Sequence, residues 1–332
     1  MTTKGLIYMQ AWTITGAGPH SLNELQLQDV PAPLPQTGEL QVRVHAVGLN
    51  PADYKVITGG SWQIPHVIGM DVAGEVTRVG ANVTDFTVGE RVFYHGDLRR
   101  SGSLAEFTVT CSWSVAKIPA SVSYEQAAAS LCGTLTAYQA LYRKANLSLA
   151  KTILIHAGGG AVGLAALQFA HQLGLTTITT TSARKRALID RVGADIIIDY
   201  HTENVTEKVR AATNGRGVDL SINTIGGEEL AADVDRLAYN GQIIAVGDGY
   251  PQHFDFDDKA LGLTRSGLGG VYRSADFTGI HDLATMATAV GDLLAAGKFD
   301  PVIDRILPFD QAQAGLMTLQ RGENLGKIVV RI

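Results

Sequence analysis

The chain has 332 residues, 45% of them hydrophobic and 18% charged, with a formal net charge of −5. Single domains commonly run to roughly 100–200 residues, so this length points to two domains with sizeable cores. The mild charge, without a long single-sign block, argues against nucleic acid as the main partner, and two cysteines, Cys111 and Cys132, are too few for a disulfide framework or a four-cysteine zinc site.

The opening segment, MTTKGLIYMQAW, lacks an apolar core of signal-peptide length, and no run of about 18 apolar residues occurs. A soluble, cytoplasmic protein in a reducing compartment is expected. Residues 1–125 read as mainly β. ELQVRVHAVGLN (39–50), DVAGEVTRVG (71–80) and ERVFYH (90–95) alternate apolar and polar residues as half-buried strands do, and AEFTVT (105–110) is a further candidate. PAPLPQTG (31–38), TGG (58–60) and SGS (101–103) punctuate them as turns. SVSYEQAAAS (121–130) opens with a serine cap and a nearby glutamate, then enters an alanine-rich helical run.

From residue 151 the pattern changes to short apolar runs alternating with amphipathic ones. Strands are predicted at TILIH (152–156), LTTITTT (175–181), DIIIDY (195–200), VDLSIN (218–223) and QIIAVG (242–247). Helices are predicted between them at AVGLAALQFAHQLG (161–174), ARKRALIDRVG (183–193), ENVTEKVRAATNG (203–215) and GEELAADVDRLAYNG (227–241). Strands alternating with helices imply βαβ units and a parallel sheet. A long helix, LATMATAVGDLLAAG (283–297), and a strand, GKIVVRI (326–332), follow, and this tail is expected to return to the first domain.

HAGGGAVG (156–163) joins a strand to a helix. Gly158, Gly160 and Gly163 fit the GxGxxG spacing, and the strand before and helix after make it a dinucleotide fingerprint. Glycines permit the tight turn and the close approach of a pyrophosphate, and the N–H groups and dipole of the helix beginning near Ala161 face the phosphates. An NAD site usually carries Asp or Glu at the end of the second strand. Here that end reads TTTSARKR (179–186) and has no acid. Ser182 offers a hydroxyl, and Arg184, Lys185 and Arg186 offer positive charge that suits a 2′-phosphate, so the pattern favours NADP over NAD.

Several blocks together resemble the medium-chain dehydrogenase/reductase superfamily, and within it the zinc-free quinone oxidoreductases and ene-reductases. They are VGLNPADYKVITGG (47–60), IGMDVAGEVTRVGANVTDFTVGERV (68–92), LCGTLTAYQAL (131–141), HAGGGAVGLAALQFAHQLG (156–174), VGADIIIDY (192–200) and GKIVV (326–330). The resemblance implies an α/β fold, a GroES-like β domain (1–125 and 273–332) interrupted by a Rossmann domain with a doubly wound parallel sheet (126–272). Zinc-dependent relatives carry a cysteine near Asn50, Gly-His-Glu where this chain has Gly69-Met70-Asp71, and a further ligand near Cys132. Asparagine and methionine do not replace a thiolate and an imidazole on zinc, so no metal is expected and Cys132 reads as a buried helix residue.

The resemblance also implies roles. Asn50 and Thr136 would line the nicotinamide end. Gly158, Gly159, Gly160, Ala161 and Val162 would form the pyrophosphate loop. Thr181, Ser182, Lys185 and Tyr200 would hold the 2′-phosphate side, Ile225 and Val246 would lie along the cofactor cleft, and Asn324 would sit in the loop returning toward the nicotinamide. In NPADYK (50–55), Tyr54 would donate a proton and Lys55 would touch a ribose or substrate oxygen, while Asp53 orients a neighbour. NPxDxK is closer to the ene-reductase variant than to the quinone reductase one. His156 and His66 read as structural, and Trp62, Tyr94, Tyr250 and Tyr272 as aromatics that could line the substrate cleft.

The expected activity is NADPH-dependent hydride transfer, without zinc, to an activated C=C of an enone or enal, or to a quinone. The alternatives are a zinc-free alcohol dehydrogenase and a non-catalytic NADPH-binding sensor or interaction protein. By the same resemblance a homodimer is expected, with GLGGVYR (267–273) as the pairing edge strand.

Overall fold

The computed structural model describes residues 7–16, 18–59, 66–247, 249–250 and 259–332. Trp62 lies outside them. The chain divides into two units, Met1–Cys132 with Gly269–Ile332, and Gly133–Leu268.

The first unit is built on antiparallel β structure. Its strands are β1 Tyr8–Ile14, β2 Gln26–Pro31, β3 Glu39–Gly48, β4 His66–Val67, β5 Asp71–Val79, β6 Arg91–His95, β7 Phe107–Cys111 and β8 Ala116–Lys117. Strand β3 is the hub, pairing antiparallel with β5 and β7. Its buried positions, including Leu40, Val42, Val44 and Val47, join Val72, Val76 and Val92 in one core, as period-two burial requires. NPADYK, read only as a segment, is helical: α1 spans Pro51–Gly59, with Pro at the first position where its missing N–H costs nothing. Helix α2 (Tyr124–Ala129) begins at the expected serine, but the reciprocal cap of Ser123 is Gln126 rather than the neighbouring glutamate.

The second unit opens in α3 (Cys132–Gln139). It alternates β9 Thr152–Ile155, α4 Ala161–Gln172, β10 Thr176–Thr181, α5 Arg186–Val192, β11 Ile196–Asp199, α6 Val205–Ala212, β12 Val218–Asn223, α7 Gly227–Arg236, β13 Leu237–Val246 and β14 Gly262–Ser266. The described strands form one parallel sheet in the order β11-β10-β9-β12-β13-β14. The order reverses beside β9, which places the loop after β9 at a topological switch point, where such sheets bind ligands.

Two predicted elements change. GEELAADVDRLAYNG is not one helix: α7 stops at Arg236, and Leu237 turns extended (φ −86°, ψ 149°) to pair with Val218. Burial of Leu237 and Ala238 in the sheet overrides helical periodicity. GLGGVYR is not an edge strand. It forms a turn and α8 (Gly270–Ser274), because paired glycines weaken a strand, and the outer strand is β14, GLTRS.

The tail returns to the first unit. After α9 (Phe277–Ala295), β15 (Ile303–Pro308) and α10 (Ala312–Gln320), strand β16 (Lys327–Arg331) pairs with β15 and antiparallel with β3.

Candidate functional site

The glycine loop occupies the carboxyl edge of the parallel sheet. Each glycine has a separate reason. A Cβ on Gly158 would strike Thr179 Oγ1 of β10, and one on Gly163 would lie 2.5 Å from the Ala157 carbonyl and 2.6 Å from Gly158 Cα. Gly159 is covered by Lys185, whose Cβ would lie 2.7 Å from an added methyl, with Thr181 Oγ1 next to it. Gly160 caps α4 without a side chain, so the first N–H groups at Ala161 and Val162 have no intrahelical acceptor. Ala157 takes a left-handed conformation (φ +52°), which a non-glycine residue adopts at a cost.

The basic corner follows β10. Thr181, Ser182, Ala183, Arg186, Ile197 and Asp199 line a cavity of about 360 Å³. Arg186 is half-exposed, with its Nε 3.7 Å from Asp190 Oδ1. Lys185 points instead to the glycine loop. Burial, and then the neighbouring Arg184, lower its pKa. Tyr200 stands half-exposed against His201, outside the cavity lining. Asp199 is an acid in this corner that the sequence reading missed, because it comes from the third strand. Its Oδ1 accepts the His201 N–H at 3.0 Å, and its own N–H donates to Glu203.

Thr136 is buried in α3, Ile225 is exposed after β12, and Val246 ends β13. The Ile225 loop is shaped by Asn223, whose Oδ1 accepts the N–H of Ile225 at 3.0 Å and of Gly226 at 2.9 Å. His156 has the structural role expected. It is 1% exposed, and its Nε2 donates to Asp233 Oδ1 at 2.9 Å.

The first unit holds a buried polar cluster where β3, β5, β6 and β16 meet α1. Asn50 is 2% exposed. Its Nδ2 donates to Asp71 Oδ2 at 2.8 Å and to the Gly48 carbonyl at 3.0 Å, and its Oδ1 accepts Lys327 Nζ at 2.6 Å. Asp71 also accepts His95 Nδ1 at 2.8 Å and the Cys132 N–H at 2.9 Å. Burial alone would raise the Asp71 carboxyl. The His95 hydrogen bond and the Lys327 charge, 3.6 Å away, outweigh it and hold the pKa below the ordinary value. Asp53 goes the other way: burial, then the Asp71 charge, push it up to about 7. Its Oδ2 accepts the Asn50 N–H at 2.8 Å, while its buried Oδ1 has no partner. His95 and Lys327 belong to this cluster and were missed in the sequence, because each joins it from the end of a distant strand.

Tyr54 and Lys55 sit on α1, Tyr54 half-buried against the core and Lys55 exposed. Asn324 is half-buried in the turn before β16, where its Nδ2 donates to the Gly326 carbonyl at 2.7 Å. Tyr94 is wholly core, and Tyr272 is buried with its hydroxyl donating to the His95 carbonyl. Neither is an exposed cleft aromatic. Tyr250 is 39% exposed with the Arg265 guanidinium 5.6 Å from its ring. His66 is buried in β4, and burial lowers its pKa to about 4.

A β unit interrupted by a parallel dinucleotide-type sheet defines a medium-chain dehydrogenase/reductase. Residues 36–120 match the alcohol dehydrogenase GroES-like domain, and residues 192–330 match a family described as zinc-binding dehydrogenase. The quinone oxidoreductase-like protein 2 homolog of Nematostella vectensis is 31% identical over 302 residues, covering 89% of this chain and 82% of that protein. Quinone oxidoreductase of Sus scrofa is 29% identical, covering 86% of each. The Escherichia coli quinone oxidoreductase structure, complexed with NADPH, superposes with a TM-score of 0.84 at 25% identity, covering 98% of this chain and 100% of that one. The chain belongs to the quinone oxidoreductase-like family of that superfamily.

Zinc, implied by one of those descriptions, does not fit the residues present. The Asn50 amide is spent on hydrogen bonds, Met70 supplies only a buried thioether, and burial and Asp71 push the Cys132 thiol well above its ordinary pKa. Among the described residues no group of three or more His, Cys, Asp or Glu side chains could hold a metal ion.

Proposed function

We propose that the protein is an NADPH-dependent reductase that delivers hydride, without zinc, to a quinone or to the activated C=C of an enone or enal. The observation that carries this reading is the second unit's glycine cradle beside a cavity lined by Ser182 and Arg186. Gly158 and Gly163 let β10, the loop and α4 close up, and the first N–H groups of α4, which no side chain caps, are the proposed donors to a pyrophosphate. Lys185 stands over the loop, and Ser182 and Arg186 offer charge-assisted hydrogen bonds to a 2′-phosphate. Asp199, the acid in this corner, has one carboxylate oxygen engaged by the His201 N–H. Thr136, Ile225 and Val246 are the residues proposed to hold the nicotinamide end.

When bound, NADPH supplies the hydride. The chain's own part is to orient the acceptor and furnish a proton. Hydride and proton together convert a quinone to a hydroquinone, or an enone to a saturated ketone. Negative charge develops on the acceptor oxygen, where a few hydrogen-bond donors suffice because the substrate is already electrophilic. Tyr54 is proposed as that donor, through its phenolic O–H, and Lys55 as the group that touches the carbonyl or a ribose hydroxyl. Asn50 is assigned a supporting role, since both its amide hydrogens are engaged within the first unit.

The relatives named quinone oxidoreductase support the quinone reading, and NPADYK favours the enone. A cytoplasmic homodimer is part of the proposal, paired through the outer strand β14. The test is NADPH oxidation with a small quinone and a small enone in parallel. Turnover of either is expected. Tight NADPH binding with no turnover of either would leave a non-catalytic binding protein as the better account.

A further inference from the structure

A second buried network lies inside the sheet unit, and no step above uses it. Its centre is Asp233 of α7, which has no solvent exposure. The carboxylate accepts from four side chains on three elements. His156 Nε2 donates at 2.9 Å from the end of β9, Ser221 Oγ at 2.6 Å and Asn223 Nδ2 at 2.9 Å from β12, and Arg236 Nη1 at 3.1 Å from its own helix. Burial would raise this carboxyl, but the His156 charge and the hydrogen bonds hold it below its ordinary value. Arg236 also donates to Glu229, and its Nε donates to Thr206 Oγ1 at 3.0 Å.

Two of these donors begin loops at the carboxyl edge of the sheet. His156 immediately precedes the Ala157–Gly160 turn. Asn223 turns its Nδ2 to Asp233, and that fixes its Oδ1 toward the N–H groups of Ile225 and Gly226. The Thr224 hydroxyl then donates to the His156 carbonyl at 3.3 Å, joining the two loops. A buried carboxylate with four donors restrains each donor's rotamer, because a buried polar group left unpaired is costly.

We propose that Asp233 is a positioning residue for the dinucleotide. Through Asn223 and His156 it sets the Ile225 loop and the entry to the glycine loop as one rigid edge. The inference rests on the NADPH reading for the identity of the ligand. It places the control of that ligand's binding in a side chain that does not touch it.

The test uses Asp233→Asn, which keeps the shape but turns two donors toward donors, and Asn223→Ala, which removes one Asp233 donor together with the acceptor that holds the Ile225 loop. Dissociation constants for NADPH are measured by fluorescence titration, and hydrogen exchange is followed in the peptide spanning residues 221–228. Both variants are expected to weaken NADPH at least tenfold and to speed exchange in that peptide. Where turnover is measured, the loss falls on the KM for NADPH rather than on kcat. Affinity within twofold of the parent in a folded variant would overturn the proposal, whatever the thermal stability shows. If Asp233→Asn does not fold, Asn223→Ala decides by the same criterion. A parent protein that binds no NADPH would count against the proposed function. Unchanged exchange in both variants would then still refute the positioning role, and accelerated exchange would support it.

Discussion

Asp53 and Asp71 are two buried carboxyls pushed in opposite directions, and they give the first unit a pH signature. Asp71 has donors enough to stay ionised, whereas Asp53 retains its proton up to about pH 7. The folded protein therefore keeps the Asp53 proton over a range in which the unfolded chain has lost it. Stability falls as the pH rises through that range, by roughly 1.4 kcal/mol per pH unit at most. Asp53→Asn keeps an acceptor for the Asn50 N–H and removes the titration. The melting temperature of the variant relative to the parent is expected to be higher at pH 8 than at pH 5. A difference independent of pH would contradict the assignment. Ala157 gives a second residue-scale expectation. Its φ of +52° suits glycine, so Ala157→Gly is expected to change urea stability only slightly, its easier backbone offsetting the loss of about 0.4–1 kcal/mol from a freer unfolded chain. A loss well above that would show that the alanine methyl has a packing role. Single residues were the least legible part of the sequence. Gly158, Gly160 and Gly163 announce themselves by spacing, but Lys327, His95 and Asp233 are brought to their partners only by folding. The one available signal was polar residues in apolar frames: Ser221 and Asn223 in VDLSIN, and Asp233 on the face of α7 that carries buried Leu230.

At the scale of elements, the glycine loop and the basic corner act as one unit with β10. A methyl on Gly163 would meet backbone atoms of Ala157 and Gly158, which cannot move aside cheaply. Gly163→Ala is expected to cost about 1–3 kcal/mol in urea unfolding and to weaken NADPH binding. Undiminished stability would mean that α4 can shift. Arg186→Ala should reduce the preference for NADPH over NADH at least tenfold, the size of one charge-assisted hydrogen bond of about 1.5–3 kcal/mol. An unchanged ratio would remove Arg186 from the phosphate site and leave Ser182 and Lys185. The βαβ alternation was legible because each run is long and periodic. The errors fell where tertiary pairing competes with local pattern. Leu237 leaves α7 to pair with Val218, the sheet register ends at Ser266 and Gly269–Gly270 open α8 instead, and α1 is a helix of mixed composition whose inward face is one aspartate and one isoleucine.

Across the whole molecule, the chain runs through the β unit, builds the parallel-sheet unit, and returns to β3 through β16. The returning tail brings Lys327 to Asn50 and Asp71, so the cluster's cation comes from the far end of the chain. Sequence pattern could suggest this return but not the contact, since nothing local links residue 327 to residue 50. The outer strand β14, with half-exposed Leu263, is the edge through which pairing is proposed. Sedimentation at micromolar concentration is expected to give a dimer, and a monomer would contradict that part of the account. The central claim is that the glycine cradle and its basic corner bind NADPH for metal-independent hydride transfer. Its most direct measurement is kcat/KM for NADPH and for NADH with a quinone and an enone, on protein treated with a strong chelator. Turnover of at least one acceptor is expected to survive the chelator, with NADPH preferred at least tenfold. Loss of activity on chelation, restored by zinc, or a preference for NADH, would contradict it.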